Sequence, residues 1–590
     1  MKLLDSPVLF LARREWKFAE KNRKNIVLYV SLFLIAHTFY FFEPLVIAKI
    51  FNIIQEMGLA KETVTTVIPW LVLLIGLTFG FWIFHGPARV IENKNAFMVR
   101  ANYKKYLLDG TMNLPAEWHT NHHSGNTIDK IDKATDSLYR FSEETFIIIE
   151  SITKLLGSYF ALAYFNLHAS YIVLLTIIIT GALIIKFDKI LVEQYHQLYK
   201  AENRISAKIF DIISNITTVI ILRVQKLVSK AMFKKIIEPL GLFVKNNKIN
   251  ETKWFLVSLL SGLMIFSVIL SFLYSSVKAG DAVLLGTIFI LYEYVQRINN
   301  LFFRFAYKYG EIVMQKTAVL NGEEISREFV SRKKFKHFDL KGWKMIEVKN
   351  LVFSYNQKDE NLHLDNISFN MHRGERIALI GSSGSGKTTA LKLIRELYHP
   401  REVKVIVDGI TLKSGFESIS DEIALIPQDP EIFATTIRDN ITLGIGKNLK
   451  EIKKYTDMAM FTDVVKRLPR GLNSSIVEKG VNLSGGEKQR LALARGLMAS
   501  EDKSILLLDE PTSSVDSRNE LKIYENIFSK FKNKTILSSI HRLHLLSLFD
   551  TILLFKNGQI AASGTFDEIL KNSEEFKDMW SKYMKSRKKS

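Results

Sequence analysis

The hydrophobic residues of this chain follow different patterns in its two halves. In the first half they form long blocks, such as IVLYVSLFLIAHTFYFFEPLVIA from Ile26, which has about the length needed to span a bilayer as a helix. Further blocks begin at Val67, Phe146, Tyr171, Trp254 and Ala282. The pattern predicts an all-α membrane domain of about six transmembrane helices. The stretches after the second and fourth spans are long, charged and helix-patterned, which predicts helical extensions outside the bilayer.

The residues ahead of the first span indicate the orientation of this domain. A basic cluster precedes the span and comprises Arg13, Arg14, Lys17, Lys21, Arg23 and Lys24. Because positively charged flanks stay on the inner side, we expect a cytoplasmic N-terminus and cytoplasmic extensions, in a bacterial inner membrane. The first block is too long for a signal peptide, and no small-residue cleavage site follows it. The stretch SPVLFLARREW predicts an amphipathic helix on the membrane surface.

After about Phe335 the hydrophobic runs become short. RIALIG, VKVIVDG, EIALIPQ, SILLLDE and KTILSSIH alternate with helical patterns. This alternation predicts an α/β domain built largely on a parallel sheet. We therefore divide the chain into an amphipathic segment (1–25), a transmembrane domain (26–325), a linker (326–342) and an α/β domain (343–590), the last of which is expected in the cytoplasm.

Composition narrows the class of protein. The chain has 590 residues, 47% of them hydrophobic, and a formal net charge of +20. It contains no cysteine, which excludes disulfides and cysteine-ligated metals and suits a reducing cytoplasm. The positive charge alone would suit a nucleic-acid binder or a membrane protein with basic inner loops. The long apolar blocks favour the second class, so we expect a lipid bilayer and no nucleic acid as partner.

A glycine-rich loop in the second half predicts a phosphate site. GSSGSGKT follows the run RIALI and precedes a helical pattern, as in the P-loop motif. Glycine and serine leave backbone N–H donors open to phosphate oxygens, and the helix N-terminus adds its positive dipole end. The residues expected to bind ATP here are Gly381, Ser382, Ser383, Gly384, Ser385, Gly386, Lys387, Thr388 and Thr389. The alternative is a glycine-rich turn without a ligand.

Two adjacent acids follow a buried strand pattern in SILLLDEP. Buried carboxylates are costly unless a cation or a catalytic task is present. We expect Asp509 to hold Mg²⁺ together with the Thr388 hydroxyl, and Glu510 to act as general base on the attacking water. The alternative is a solvated strand end.

Three motifs together carry a family resemblance. The P-loop is followed by LSGGEKQR from Leu483, by ILLLDEPTSSVD, and by a histidine after an apolar strand (Ile540-His541). This series resembles the nucleotide-binding domain of ABC proteins, from about Trp343 to the C-terminus. With the membrane domain first, the whole chain resembles an exporter-type half-transporter. PAEWHTNHHSGNTIDKID and KAENRISAKIFDIISNITTVIIL resemble the coupling segments of such exporters.

The resemblance implies further roles for single residues. Tyr355 corresponds to the aromatic residue that stacks on adenine, and Gln428 to the glutamine that senses Mg²⁺ and water and completes the metal ligands. Asp516 corresponds to an aspartate that signals across a dimer. His541 corresponds to the histidine that contacts the γ-phosphate and positions water. Glu478 falls where exporters have a transmission loop, although that loop is usually more acidic.

The resemblance also implies a shared site and a transport cycle. Ser484, Gly485 and Gly486 would contact the nucleotide bound by a partner domain, so that ATP lies between two domains. Mg²⁺-dependent ATP hydrolysis would drive alternating access and export or flip a hydrophobic or amphipathic drug, lipid or peptide. No motif is degenerate, so a homodimer is simplest and a related half-transporter is the alternative partner. There are two alternatives to export. An importer could be built on the same exporter-type fold, and an ATP-gated channel or regulator would require defective ATP hydrolysis.

Charged residues inside the predicted spans leave a question open. They are Glu43 in the first span, Glu150 and Lys154 in the third, and Glu293 in the sixth. A charge near the bilayer centre costs about 2.5–3.5 kcal/mol on insertion scales, so these residues should face the bundle interior. They could line a polar or amphipathic substrate path. Alternatively, Glu150 and Lys154, four residues apart, pair with each other and only position helices.

Overall fold

The structure, a computed structural model, describes residues 6–122, 124–280, 282–329, 338–356, 362–429, 431–476 and 483–587. The chain divides into two compact units. The membrane unit comprises Met1–Leu114 and His122–Val330, and the α/β unit comprises Pro115–Asn121 and Ser331–Ser590.

In the described residues up to 329, the regular secondary structure is helical. The helices are α1 (Pro7–Ala19), α2 (Arg23–Met57), α3 (Lys61–Met112), α4 (Ala116–Asn121), α5 (Ser124–Glu143), α6 (Thr145–Phe165), α7 (Leu167–Ser214), α8 (Ile216–Ile221), α9 (Gln225–Ile237), α10 (Leu240–Ala279) and α11 (Leu285–Arg327), with a 3₁₀ turn at Glu20–Asn22. Helix α4, which lies in the first predicted coupling segment, groups with the α/β unit. Helix α8 lies in the second.

Five helical stretches of the described chain are long and apolar enough to cross a bilayer. They are Pro7–Met57, Lys61–Met112, Ser124–Phe165, Leu167–Ser214 and Gln225–Ala279. The sixth predicted span lies on α11, which at 43 residues is long enough. Its apolar start is interrupted by polar positions such as Glu293, Arg297 and Asn299, and this lowers its overall hydropathy.

The core of the membrane unit lies where α2, α6, α7, α10 and α11 pack together. Its buried members include Leu162 on α6, Val173 on α7, Val257 on α10 and Leu291 on α11. Gly286, near the start of α11, lies against the backbone oxygen of Ala48 and the side chain of Asn52. A side chain at this glycine would separate α11 from α2, so close helix approach requires a small residue here.

The α/β unit contains two sheets. Its strands are β1 (Met345–Phe353), β2 (Leu364–His372), β3 (Arg376–Ile380), β4 (Glu402–Val407), β5 (Ile410–Thr411), β6 (Ile423–Ile426), β7 (Ile505–Asp509), β8 (Thr535–Ser539), β9 (Thr551–Lys556) and β10 (Gln559–Gly564). Its remaining α-helices are α12 (Lys387–Ile394), α13 (Ile437–Thr442), α14 (Leu449–Met458), α15 (Thr462–Arg467), α16 (Gly485–Ala499), α17 (Ser517–Lys530), α18 (Phe566–Asn572) and α19 (Glu574–Arg587).

The larger sheet has the strand order β10-β9-β3-β8-β7-β6. Neighbouring strands from β9 to β6 pair in parallel, whereas β10 pairs antiparallel to β9. The smaller sheet, β2-β1-β4-β5, is antiparallel. The predicted α/β fold with a largely parallel sheet is therefore confirmed.

Strand β7 shows why an apolar cluster lies on each face of the larger sheet. All five of its residues are buried, as expected for a parallel strand covered on both faces. Because side chains alternate along a strand, Ile505 and Leu507 join one apolar cluster, with residues of the smaller sheet. Leu506 and Leu508 join the other, with helices such as α16 and α17.

We predict that Leu507→Ala destabilises the α/β unit by about 2–5 kcal/mol, because Leu507 is fully buried and its removal leaves a cavity. The apparent unfolding temperature of the purified chain measures this. The matched control is Leu449→Ala, at a leucine that is 63% exposed on α14. Equal unfolding temperatures for the two variants would contradict the assignment of Leu507 to the core.

Candidate functional site

The loop between β3 and α12 is shaped by glycine. Gly381, Gly384 and Gly386 have φ angles of 144°, 79° and 109°, a region that residues with a Cβ rarely adopt. A Cβ on Gly381 would also collide with the Phe555 carbonyl oxygen and the Ser385 hydroxyl. The backbone therefore takes a tight path that keeps its N–H groups free of covering side chains.

The first residue of α12 folds back over this loop. The ammonium group of Lys387 donates hydrogen bonds to the carbonyl oxygens of Gly381 and Ser382, at 2.9 and 3.0 Å. Burial lowers the pKa of Lys387, while the nearby carboxylates of Glu510 and Asp509 act in the opposite direction. The buried Ser385 hydroxyl has no hydrogen-bond partner among the described residues. A buried cation, an unpaired hydroxyl and a helix N-terminus together fit a phosphate group.

The next residue reaches the end of β7. The Thr388 hydroxyl donates to Asp509 Oδ1 at 2.9 Å. Burial raises the pKa of Asp509, and the neighbouring Glu510 carboxylate adds to that effect. A divalent cation would compensate this buried negative charge, and hydroxyl and carboxylate oxygens are the ligands that Mg²⁺ prefers. The residues present therefore fit a magnesium ion.

Glu510 is held at both of its carboxylate oxygens. The Gln428 amide donates to Oε2 at 2.9 Å, and His541 Nε2 lies 2.5 Å from Oε1. The Glu510 backbone has a φ of 47°, a left-handed conformation that is strained for a residue with a side chain. The surrounding contacts fix the carboxylate beside Asp509 in spite of this strain.

Tyr355 lies next to the same loop. Its hydroxyl is 3.3 Å from the Thr389 hydroxyl. The ring packs edge-on against Phe353, His363 and Tyr398 while remaining 43% exposed. An exposed, edge-supported aromatic face is able to stack on a planar base.

The LSGGEKQR segment forms the start of α16. Ser484 is the N-cap, and it forms a reciprocal capping box with Glu487. The pKa of Glu487 is lowered, chiefly because its carboxylate accepts from the Ser484 backbone N–H. Gly485 and Gly486 are the first two helical residues. A Cβ on Gly486 would lie 2.7 Å from the Ser514 carbonyl oxygen, so this position requires glycine.

Asp516 has a local role that the motif did not predict. It is the N-cap of α17 and accepts from the Asn519 backbone N–H at 3.0 Å. This hydrogen bond is the main reason why the pKa of Asp516 is lowered. Glu478, the predicted transmission-loop residue, lies outside the described residues.

Sequence reasoning missed Gln489, which connects three parts of the site. Its amide nitrogen donates to the Ser513 hydroxyl at 2.7 Å and to the Gln428 carbonyl oxygen at 3.3 Å. Its amide oxygen accepts from the Ser514 backbone N–H at 2.8 Å. A buried glutamine on a helix among leucines was the available signal, because such a side chain needs hydrogen-bond partners.

The charged residues of the predicted spans are paired in the membrane unit. Lys154 and Arg304 contact the two oxygens of Glu150 at 2.6 and 2.7 Å. Arg297 contacts Glu43 and Glu293, both at 3.2 Å. The predicted Glu150–Lys154 pair is therefore present. With Arg304 it joins α6 to α11, and the ion pair between Arg297 and Glu43 joins α11 to α2.

Comparison with known families matches both parts of the chain. The family model for the ABC transporter transmembrane region matches residues 26–300. The family model for the ABC transporter matches residues 364–513. These matches identify an integral membrane protein with a nucleotide-binding domain, and the order of the two is that of an exporter-type half-transporter.

Individual relatives resemble part of the chain. One is a glutathione/L-cysteine transport system ATP-binding/permease protein of Bacillus subtilis, 36% identical over 236 residues, which are 40% of each chain. Another is an ATP-dependent lipid A-core flippase of Photobacterium profundum, 36% identical over 230 residues, which are 38% of this chain and 39% of the flippase. The match thus covers about two fifths of the length of each of these two relatives.

A solved structure resembles nearly the whole chain. It is a bacterial Atm1-family ABC exporter with ATP bound, with a TM-score of 0.80 and 21% sequence identity. The alignment covers 95% of this chain and 99% of that one. This likeness confirms the predicted fold.

We predict that Gly381→Ala weakens ATP binding by about tenfold or more, because the left-handed conformation costs a residue with a Cβ roughly 1–2 kcal/mol and two contacts become too close. Titration with a fluorescent ATP analogue measures this. Ser383→Ala, in the same loop, is the matched control, since it removes an exposed hydroxyl and leaves the backbone donors in place. Equal affinities for the two variants would refute the argument.

Proposed function

We propose that this chain, which belongs to the ABC transporter family and has the domain order of an exporter-type half-transporter, is an ATP-driven membrane transporter. It works as a homodimer with two ATP sites and moves a hydrophobic or amphipathic compound outward. The observation that carries this proposal is the Glu510 carboxylate, held by Gln428 and His541 beside the glycine loop and Thr388.

The nucleotide is bound by groups from several elements. The backbone N–H groups of residues 381–389 surround the phosphates, and Lys387 leaves its loop carbonyls to pair with the β- and γ-phosphates. Tyr355 stacks on the adenine. Support for this arrangement comes from the Tyr355–Thr389 contact, which brings the aromatic ring and the phosphate loop together. A nucleotide has its base at one end and its phosphates at the other, so an exposed aromatic ring beside a phosphate loop suits it.

Hydrolysis requires a base and a group that orients water. Glu510 accepts the proton of the attacking water, and His541, in contact with the same carboxylate, positions that water against the γ-phosphate. Gln428 holds Oε2 of Glu510, which leaves Oε1, on the His541 side, to accept the proton of that water. Thr388, Asp509 and Gln428 would hold Mg²⁺, which when bound neutralises charge on the phosphates.

The second half of each site is supplied by another copy of the chain. Ser484, Gly485 and Gly486 present the N-terminus of α16, and its backbone N–H groups face the nucleotide held by the partner. Asp516 lies at the N-terminus of α17, so it is able to link the two sites. Gly485 supports this role, because no atom lies within 4 Å of the position that its Cβ would take and the helix end there stays uncovered. A related half-transporter is the alternative partner.

Bound ATP favours the closed state of this dimer, and ATP hydrolysis allows the dimer to open again. Such a ligand shifts an equilibrium between two conformations of the whole protein. The helices α4 and α8, in the two coupling segments, pass the movement to the spans, which open alternately inward and outward. The N-terminus and the nucleotide-binding domain lie in the cytoplasm, as the basic cluster before α2 favours, and we propose a bacterial inner membrane as the location.

We predict that Glu510→Gln lowers the turnover number for ATP by about 10²–10⁴-fold while ATP still binds, because the amide cannot accept the proton. The measurement is ATPase activity of the purified protein in lipid, with nucleotide binding measured in parallel. Glu525→Gln, an exposed position on α17, is the control and should hydrolyse ATP at the wild-type rate.

Two results would refute the proposal. Wild-type protein that hydrolyses no ATP in lipid would exclude an ATP-driven transporter. Full activity in Glu510→Gln would exclude Glu510 as the base. Vesicle transport with ATP on one known side then separates export from import by the same fold.

A further inference from the structure

We propose that Arg542 is a positioning residue for ATP hydrolysis, which it supports together with Glu520. It ties the chain segment that carries His541 to the loop that follows Glu510, and it thereby fixes the distance between these two side chains. The inference rests on the proposed function, since it concerns the same reaction, and it adds residues that no motif assigned.

The guanidinium group of Arg542 reaches several points of one loop. Nη1 donates to the Val515 carbonyl oxygen at 2.8 Å and lies 3.4 Å from the Ser517 hydroxyl. Nη2 donates to the Ser513 carbonyl oxygen at 3.5 Å. The planar guanidinium has donors in a fixed fork, so these contacts set the position of the whole 513–517 loop.

Glu520 holds the arginine in this orientation. Glu520 is 4% exposed, and its Oε2 accepts from Arg542 Nη1 at 3.1 Å. Oε1 accepts from the buried Thr512 hydroxyl at 2.8 Å, and His544 Nε2 lies 3.7 Å from Oε2. A buried carboxylate is costly without partners, so the pair with Arg542 is strongly favoured in one geometry.

The two catalytic side chains lie where the sheet no longer fixes the backbone. The last residue pair between β7 and β8 is Asp509 and Ser539. Glu510 and His541 lie beyond it, yet His541 Nε2 and Glu510 Oε1 are 2.5 Å apart. Some other contact must hold the two segments together past the end of the sheet. Arg542 follows His541 directly and provides this contact.

The Glu510–His541 pair and the Glu520–Arg542 pair line the same cavity, which has a volume of about 240 Å³. A shift of the 513–517 loop would therefore act directly on the catalytic side chains. Nucleotide affinity depends on other residues, in the glycine loop and at Tyr355, so a positioning role predicts an effect on turnover and not on binding.

The test compares steady-state ATPase kinetics of full-length protein in lipid nanodiscs. The variants are Arg542→Ala, Arg542→Lys, Glu520→Gln and the double variant Arg542→Ala/Glu520→Gln, with Arg373→Ala at an exposed turn as control. We expect kcat to fall about 10- to 100-fold in the alanine and glutamine variants, as for catalytic groups displaced by about 1 Å, with KM unchanged within about twofold. The double variant should match the single variants within about threefold, because the residues act as a unit.

Arg542→Lys keeps the charge but cannot form the same fork, so we expect a loss in kcat of about three- to tenfold. If thermal unfolding shows that Arg542→Ala is not folded, the kcat of Arg542→Lys tests the positioning role instead. Three outcomes would overturn the positioning role. They are a wild-type kcat in a folded alanine or glutamine variant, a change in KM with kcat unchanged, and losses in kcat that multiply in the double variant. Absence of ATPase activity in the wild type would instead overturn the proposed function, and this inference with it.

Discussion

The parallel alignment of four neighbouring strands is the constraint on which the candidate site depends. Strands β3, β8, β7 and β6 lie side by side and run in the same direction, so their carboxyl ends meet at one edge of the sheet. Each strand delivers a different group there. Lys387 follows β3, His541 follows β8, Glu510 follows β7 and Gln428 follows β6. Parallel sheets commonly place ligand sites at this edge.

Several groups of the site are energetically unfavourable where they lie. Asp509 is a buried carboxylate, Lys387 is a buried ammonium group, and Glu510 has a strained backbone. Strain of this kind costs of order 1–3 kcal/mol and persists only when surrounding structure determines it. The two apolar clusters on either side of β7 provide that structure. A bound nucleotide and metal ion would supply the charges that these groups lack.

Much of this arrangement could be predicted from the sequence, because local patterns encode it. Short apolar runs predicted β3, β7 and β8, and glycines followed by lysine predicted the loop before α12. Contacts between distant segments could not be predicted in this way. Gln489 and Arg542 act through hydrogen bonds to loops that are near only in the folded unit.

Two other differences also have physical reasons. The sixth span was predicted from an apolar stretch, but its helix carries Arg297 and Arg304, whose ion pairs stabilise them within the bundle. Asp516 caps α17, a local role that its motif did not indicate, and its role across the dimer stays a prediction. A motif identifies a position, whereas the hydrogen-bond partners of a side chain depend on the elements that surround it.

The central claim is that nucleotide binding rearranges the membrane unit of a dimer. Because the chain has no cysteine, a single spin label can be attached through Lys200→Cys, an exposed site on α7. Electron paramagnetic resonance then measures the distance between the labels of two protomers in lipid, with and without ATP and Mg²⁺, in the Glu510→Gln background. The account predicts a shift of the distance distribution to shorter values when ATP is bound. An unchanged distribution with ATP bound, or no interprotomer distance at all, would contradict it.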